Sequence, residues 1–420
     1  MVYTPNEIAV IQKRTLRVLV LSQMTGSAAL AAAVTVGAFV IQDILGQATA
    51  WGGIASATVT MGTAFMSQIL ARLMNIRGRR NGLQTGYLLA ILGGFVAGYG
   101  AETKTLWIFM IGLFIFGNGQ ASNLLSRYAA TDLATIDERG RAMSRILFAS
   151  TFGAVFGPLL IKPAEQAGMD WFGWGQYTGP WVFSGVFFLT SLINTTLRLK
   201  PDPLEVAGRL NRQSEVGAPS RLFSDAIRAI RGSSNAKIAV LSMVISQMAM
   251  VAVMTMTPVH LKLHGHETVS AYIISLHVAG MYAFSPLVGR FADRRGRLST
   301  IQFGAVVLMC ATLLSSLAGG SPLLLYPALW MLGVGWSFGL IGGSSLLVDS
   351  IDQQIRVRVQ GAADLTMSFC GGLAGFSSGF IRKAVGYHVL SNFGMLLAGV
   401  LLVTVMLRKS VAEKETVGVL

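Results

Sequence analysis

The residues best equipped for coupled electrostatic work stand in one short segment. Positions 289–297 read Gly-Arg-Phe-Ala-Asp-Arg-Arg-Gly-Arg, which sets one carboxylate, Asp293, among four guanidinium groups and between two glycines. Gly289 lets a neighbouring helix come close, and Gly296 permits a tight turn. Asp293 falls at a helix end, where its charge can meet the positive N-terminus of another helix or an arginine. Arg294, Arg295 and Arg297 hold the turn on the basic side. A fainter copy lies at 71–80, where Gly78, Arg79 and Arg80 recur but Asn75 stands for the aspartate and Ala71 for the first glycine. Asn75 can exchange hydrogen bonds and supplies no charge, so the first copy predicts the weaker latch.

The two copies belong to a longer repeat. Gly296 follows Gly78 by 218 residues, Arg356 and Arg358 follow Arg139 and Arg141 by 217, and a Ser-Gln-Met triplet at Ser22 returns at Ser246. The other ionisable candidates are few. Asp43 follows the outer end of the first apolar run, Asp132 and Asp349 are repeat partners, and His277 lies near the middle of the eighth run. A histidine titrates near neutral pH, so His277 either carries a proton or makes a neutral bond to a neighbouring helix. Arg127 and Asp364 break the symmetry, since their partners at the 217 offset are Ser344 and Leu147. Each half then holds one charge the other lacks, of opposite sign and at similar depth. These two are expected to pair in an outward-open state and part in an inward-open one.

The elements that position these residues are apolar. Of 420 residues, 53% are hydrophobic and 12% charged, about half the charge of a soluble domain. A helix needs roughly 20 apolar residues to cross a bilayer core. Twelve such runs can be read, at 18–40, 50–70, 82–100, 106–125, 143–161 and 180–197, then at 238–258, 270–288, 298–318, 322–348, 359–380 and 389–407. This predicts an all-α membrane protein with twelve transmembrane helices in two pseudo-symmetric six-helix bundles, 1–197 and 238–420. The linker 198–237 carries an amphipathic helix, with Leu222, Phe223, Ala226, Ile227 and Ile230 on one face and Arg221, Asp225, Arg228 and Arg231 on the other. With both termini inside, only Lys104, Lys162, Lys262, Arg382 and Lys383 of the 33 basic residues face outward. The positive-inside rule therefore accounts for the net charge of +14 without nucleic acid.

Twelve spans in two halves, a basic central segment and Gly-x-x-x-Asp-Arg-x-Gly-Arg after the eighth span resemble the major facilitator superfamily over essentially the whole chain. The family's signature normally follows the second span, so the fuller copy here is in the other half. The resemblance implies a loop that latches the two halves in one of two alternating states. In the fifth span, Gly153, Gly157 and Pro158 are similar to the Gly-x-x-x-Gly-Pro element of drug:proton antiporters, although Leu159-Leu160-Ile161 replaces the paired glycines that usually follow. The antiporter arginine of the fourth span is absent, and Leu113 stands in its place before Gly117-Asn118-Gly119.

The leading expectation is a secondary active transporter exporting an amphipathic or drug-like small molecule by alternating access, with a proton gradient as energy source and no cofactor. A carrier of a metabolite, organic anion or metal chelate is the alternative, and a transporter-like scaffold or sensor is the alternative of another class. An enzyme is not expected, for want of a nucleophile–base pair or metal triad at one depth. His260, His264 and His266, with Glu267, suit a divalent ion in ligand type, but the spacing is a weak metal motif and a polar outer loop is the expected reading. The expected setting is a bacterial inner membrane, with lipid and a small-molecule substrate as partners and the chain acting as a monomer.

Overall fold

The computed structural model describes residues 3–45, 53–208, 219–266 and 269–417. The chain is built of α-helices: α1 (Pro5–Leu45), α2 (Gly53–Arg77), α3 (Arg79–Glu102), α4 (Leu106–Ala129), α5 (Arg139–Leu159), α6 (Ile161–Phe172), α7 (Thr178–Arg198), α8 (Pro203–Val206), α9 (Pro219–Gly232), α10 (Ser234–Leu263), α11 (Ser270–Tyr282), α12 (Ser285–Arg295), α13 (Arg297–Leu317), α14 (Pro322–Ser350), α15 (Arg356–Val385) and α16 (Tyr387–Val417). Among the described residues eight helical segments are long and apolar enough to cross a membrane, and a ninth if α5 and α6, bent by 53°, count as one. Two of these segments join neighbouring helices, α7 with α8 and α11 with α12.

The helices are inverted relative to those of a soluble protein. Along α3 the large residues Leu88, Leu92, Phe95 and Tyr99 are exposed, while Gly86, Ala90, Gly93, Ala97 and Gly100 are buried. In lipid no hydrophobic force drives one apolar helix onto another, so close backbone approach over small residues does it instead. A Cβ on Gly93 would lie 2.3 Å from the Phe116 backbone nitrogen, and one on Gly100 would lie 2.4 Å from that of Phe109, so α3 and α4 touch along their length. Farther in, Trp181 of α7 meets Phe109 and Phe116 edge-on.

The repeat read from the sequence recurs in the packing. Gly62 of α2 abuts the Phe114 carbonyl and Gly117 of α4 abuts that of Val59. In the second half Gly280 of α11 abuts the Trp330 carbonyl and Gly333 of α14 that of His277. Both α3 and α13 start after a glycine of positive φ, Gly78 at 93° and Gly296 at 87°. A side chain there would force a left-handed backbone that L-residues rarely adopt.

Two compact units emerge, neither continuous in sequence. One comprises Met1–Thr135, Arg145–Arg228 and Asp352–Phe369, and the other Ile136–Ser144, Ala229–Ile351 and Cys370–Leu420. The first turns of α5 thus group with second-half helices, and the first turns of α15 with first-half helices. In the linker, 209–218 lie outside the described residues. Helix α9 buries Ala226 and Ile230 and exposes Asp225, Arg228 and Arg231, as the spacing predicts for these positions, while the side chains of Arg221 and Leu222 lie outside the described residues.

The glycine crossings generate a stability test. A valine at Gly333 would place Cβ 2.3 Å from the His277 carbonyl oxygen, and overpacking of this kind costs about 1–3 kcal/mol. Gly333→Val should lower the melting temperature of the detergent-solubilised protein, whereas Leu92→Ala on the exposed stripe should leave it nearly unchanged. Equal melting curves for the two variants would contradict the packing described.

Candidate functional site

The fuller signature builds a dense network around Asp293, near the end of α12. Its carboxylate accepts the backbone N–H of Gly140 on Oδ1 and of Arg141 on Oδ2, both at 2.9 Å. These are free donors of the first turn of α5, so the carboxylate caps that helix and meets its positive end. Arg297 Nη1 donates to Oδ1 at 2.6 Å and Arg141 Nε to Oδ2 at 3.2 Å. Arg297 reaches on to Asp349 Oδ2 at 3.0 Å and to the Ile136 carbonyl at 2.6 Å, and Arg139 holds the other oxygen of Asp349. The two partners named for Asp293 from sequence, a helix N-terminus and an arginine, are both present. Gly289 and Gly140 make this possible, because a Cβ on Gly289 would lie 2.6 Å from the Gly140 carbonyl. Arg294 is exposed.

The fainter copy is built differently. Arg79 is wholly buried and forks onto Asp132, Nε to Oδ2 at 2.8 Å and Nη2 to Oδ1 at 3.2 Å. Its Nη2 also donates to Gln360 Oε1 of α15 at 2.9 Å. Where Asp293 would have its counterpart, Asn75 is buried and both amide atoms lack a hydrogen-bond partner among the described residues. Asp202 supplies a carboxylate from the linker, accepting the Arg80 N–H at 2.8 Å and the Leu204 N–H at 2.9 Å. It covers Gly78, whose Cβ would lie 2.4 Å from Asp202 Oδ2. Sequence reading missed Asp202, and it placed Gln360 only on one helical stripe with Asp364 and Ser368, not against Arg79, since neither residue lies within a repeated motif. Arg139 carried a signal in its 217-residue echo, Arg356.

The structure brings Arg127 and Asp364 together as a buried ion pair, with side chains 1% and 0% exposed. Arg127 Nη1 donates to the Leu124 carbonyl at 2.5 Å and Nη2 to Tyr128 Oη at 3.1 Å, and the guanidinium lies 4.3 Å from the Tyr128 ring centre. Only Asp364 Oδ1 is engaged, and Oδ2 is buried with no partner among the described residues.

The other candidates stand apart from these networks. His277 is fully buried and bonds the Leu329 carbonyl through Nδ1 at 2.8 Å. A carbonyl only accepts, so Nδ1 carries the hydrogen. Asp43 pairs with Lys104 at 3.4 Å on exposed ground. Gly153 packs α5 on α1, its Cβ position 2.5 Å from the Ala28 backbone nitrogen, and Gly157 is buried. The side chain of Pro158 lies outside the described residues, although the 53° bend follows it directly. Leu113 is buried. His260 Nε2 bonds the Gly319 carbonyl at 2.6 Å and stacks on Tyr387, and His264 Nδ1 bonds the His260 carbonyl at 2.8 Å. Those two histidines brace a turn, His266 follows it, and Glu267 lies outside the described residues. The repeated glutamines diverge. Gln23 is buried between Ser126 and Ser150, whereas half-buried Gln247 accepts the indole N–H of Trp336 at 2.7 Å.

Residues 19–376 match the family model of the Major Facilitator Superfamily. The chain belongs to this superfamily of transporters. It is 35% identical over 408 residues, 96% of this chain and 94% of that protein, to the "uncharacterized MFS-type transporter YdeG" of Bacillus subtilis (strain 168). It is 26% identical over 401 residues, 94% of this chain and 96% of the relative, to the riboflavin transporter RfnT of Brucella anthropi. Among solved structures, the human organic anion transporter MFSD10 (TETRAN) superposes with a TM-score of 0.76 at 14% identity, covering 94% of this chain and 99% of that one. That likeness shows the superfamily fold. The chain is accordingly an integral membrane transporter.

Two outcomes follow from the networks. Asp293→Asn removes the charge that caps α5 and engages two arginines, whereas Asn75→Ala removes an amide that bonds nothing described. The first should cut transport about tenfold or more, a loss of roughly 1.4 kcal/mol in the state that needs the network, and the second should change it little. Equal rates at matched expression would remove the asymmetry. Breaking one side of a buried pair costs about 3–5 kcal/mol, so Arg127→Asp and Asp364→Arg should each impair transport severely. The double variant should recover beyond the worse single one, and failure to do so would show that the pair does not act as a unit.

Proposed function

We propose that this transporter works by alternating access and exports an amphipathic, drug-like small molecule in exchange for protons. The observation that carries alternating access is the pairing itself. Arg127 meets Asp364 and Arg79 meets Gln360 across 237 and 281 residues, and Asp293 meets the N-terminus of α5 across 153. Charged pairs buried this deeply are costly to assemble and add little stability over apolar packing. They make sense as contacts held in one state and released in the other. A ligand that binds one state better then shifts the balance by its differential affinity alone.

In this reading the chain acts as a monomer with twelve spans. Helices α1, α3 and α15, at 41, 24 and 30 residues, add to the segments already long and apolar enough to cross. The rocking bodies are the repeat halves 1–197 and 238–420, joined by the linker 198–237, with the arginine-rich networks and both termini on the cytoplasmic side of a bacterial inner membrane. Export rests on the Gly153, Gly157 and Pro158 element. Without an arginine at Leu113, proton coupling must fall on another site.

A second reading is a metabolite carrier, favoured by the riboflavin transporter among the relatives. Trp336, Tyr282 and Gln247 supply it with a face for a planar heteroaromatic ring. The Tyr282 and Trp336 rings meet edge-on at 5.7 Å, and Gln247 bonds the indole.

The test is flux from proteoliposomes holding ethidium or riboflavin, with and without an imposed pH gradient. Gradient-driven ethidium movement supports the first reading, and riboflavin movement alone supports the second. No flux of either probe under any gradient, from protein whose melting temperature is intact, would count against both.

A further inference from the structure

The second compact unit carries unbalanced positive charge at one end. Its described acids lie elsewhere. Asp137, Glu138, Asp293 and Asp349 stand around the signature network, and Glu413 and Glu415 fall in the last turns of α16. Asp349 is in the last turn of α14, and the start of that helix lies about 40 Å away at 1.5 Å per residue. Salt screens exposed charges beyond about 10 Å, so those acids do not balance the far end. Three segments meet there, 260–266, 318–321 and 382–388, through the contact of His260 with Gly319 and its stacking on Tyr387. Apart from Tyr387, every ionisable side chain in these segments is Lys, Arg or His. Lys104 of the first unit, by contrast, has Asp43 beside it.

Three of these side chains are set up for one ligand. His260 Nε2 donates to the Gly319 carbonyl and His264 Nδ1 to the His260 carbonyl, at 2.6 and 2.8 Å. Carbonyls only accept, so these nitrogens carry the hydrogens, and His260 Nδ1 and His264 Nε2 keep bare lone pairs in the neutral rings. The ring centres are 4.4 Å apart, and Tyr387, itself held by Thr257 at 2.9 Å, fixes the orientation of His260. Gly320 leaves room at His264, since a Cβ there would lie 2.9 Å from its Cδ2. Arg382, in the last turn of α15, is half-buried and acts on His260 electrostatically. Its Nε is shielded with no hydrogen-bond partner, and its guanidinium pairs with no carboxylate among the described residues. Shielded polar groups are nearly always satisfied, and a guanidinium is satisfied best by an oxyanion.

We propose that His260, His264 and Arg382 form a binding site for a phosphate-bearing anion. A proton from solvent on either bare nitrogen turns an acceptor into a charged donor, so each histidine that gains one adds an N–H bond to the anion. Arg382 supplies a third donor and stays charged throughout. A phosphate group, with three or more acceptor oxygens and up to two negative charges, matches this set, whereas a carboxylate brings two oxygens and one charge. A divalent cation suits the bare nitrogens alone and is repelled by the guanidinium. The other titratable groups on the packed segments are Lys262 and His266 after α10 turns, Lys383 of α15, and Tyr387 and His388 of α16, while 318–321 offers backbone only. The phosphate belongs either to a soluble phosphoester or to a phospholipid headgroup, which present the same chemistry.

The test reads binding and needs no transported substrate. Inorganic phosphate is titrated calorimetrically into the detergent-solubilised full chain, at constant ionic strength in chloride. Affinity should be about fivefold or more higher at pH 6 than at pH 8. Phosphate itself loses charge on that change, so the gain must come from the protein. Arg382→Gln should weaken binding about tenfold at both pH values, and His264→Gln should weaken it at pH 6 alone. Lys104→Gln should leave it unchanged. Should Arg382→Gln fail to fold, His264→Gln on its exposed ring carries the test. Glycerol 3-phosphate as the tighter competitor marks a soluble phosphoester, and short-chain phosphatidylglycerol as the tighter one marks a headgroup. Any of four results overturns the site: no phosphate binding above chloride, affinity that ignores pH, affinity unchanged in either variant, or zinc binding that phosphate does not displace.

Discussion

A buried guanidinium must have a counter-charge, and most of what is specific in this chain answers to that requirement. Arg79 and Arg127 are among its largest fully buried side chains. Neither can lose its proton, because guanidinium stays charged in any protein environment. Each therefore fixes where an aspartate must be. Asp132 sits where the fork of Arg79 closes, and Asp364 brings the start of α15 to the end of α4. The glycine crossings then do their part by letting backbones approach closely enough for short polar side chains to meet.

The same requirement explains why the two signature copies have diverged without losing their shape. Both keep the glycine of positive φ and an arginine directly after it that binds an aspartate 52 or 53 residues on. They differ in what caps the neighbouring helix. The second copy uses its own Asp293 on the N-terminus of α5, whereas the first leaves Asn75 without a hydrogen bond among the described residues and takes Asp202 from the linker to cap α3. A carboxylate at a helix N-terminus is stabilising wherever in the chain it originates. The linker is thus part of the first network, and a description of it as a tether between bundles would be incomplete.

Several candidates have simpler surroundings than their chemistry suggested. His277 is held by a backbone carbonyl in a glycine crossing, and His260 and His264 brace a turn against Tyr387. Asp43 has an exposed lysine beside it. His277 shares with Asp364 full burial and a polar atom, Nε2, without a hydrogen-bond partner among the described residues, whereas Asp43 is paired on exposed ground and His260 and His264 bond backbone carbonyls.

Sequence alone determined the class of the protein, its internal repeat and the two kinds of partner that Asp293 meets. Apolar run length, basic-residue asymmetry and residue offsets are local or one-dimensional quantities, and all can be counted along a chain. It also named Arg127 and Asp364 as a pair, because each breaks a symmetry that the rest of the chain keeps. Tertiary structure alone decided that Gln360 joins Arg79, that Asp202 caps α3 and that Asn75 is buried with no hydrogen-bond partner among the described residues. These depend on which helix faces cross and at what height, and the spacing of residues within a single helix carries no record of that. In a lipid-facing bundle the ambiguity is greatest, since both the packed and the exposed faces are apolar and only close contact tells them apart.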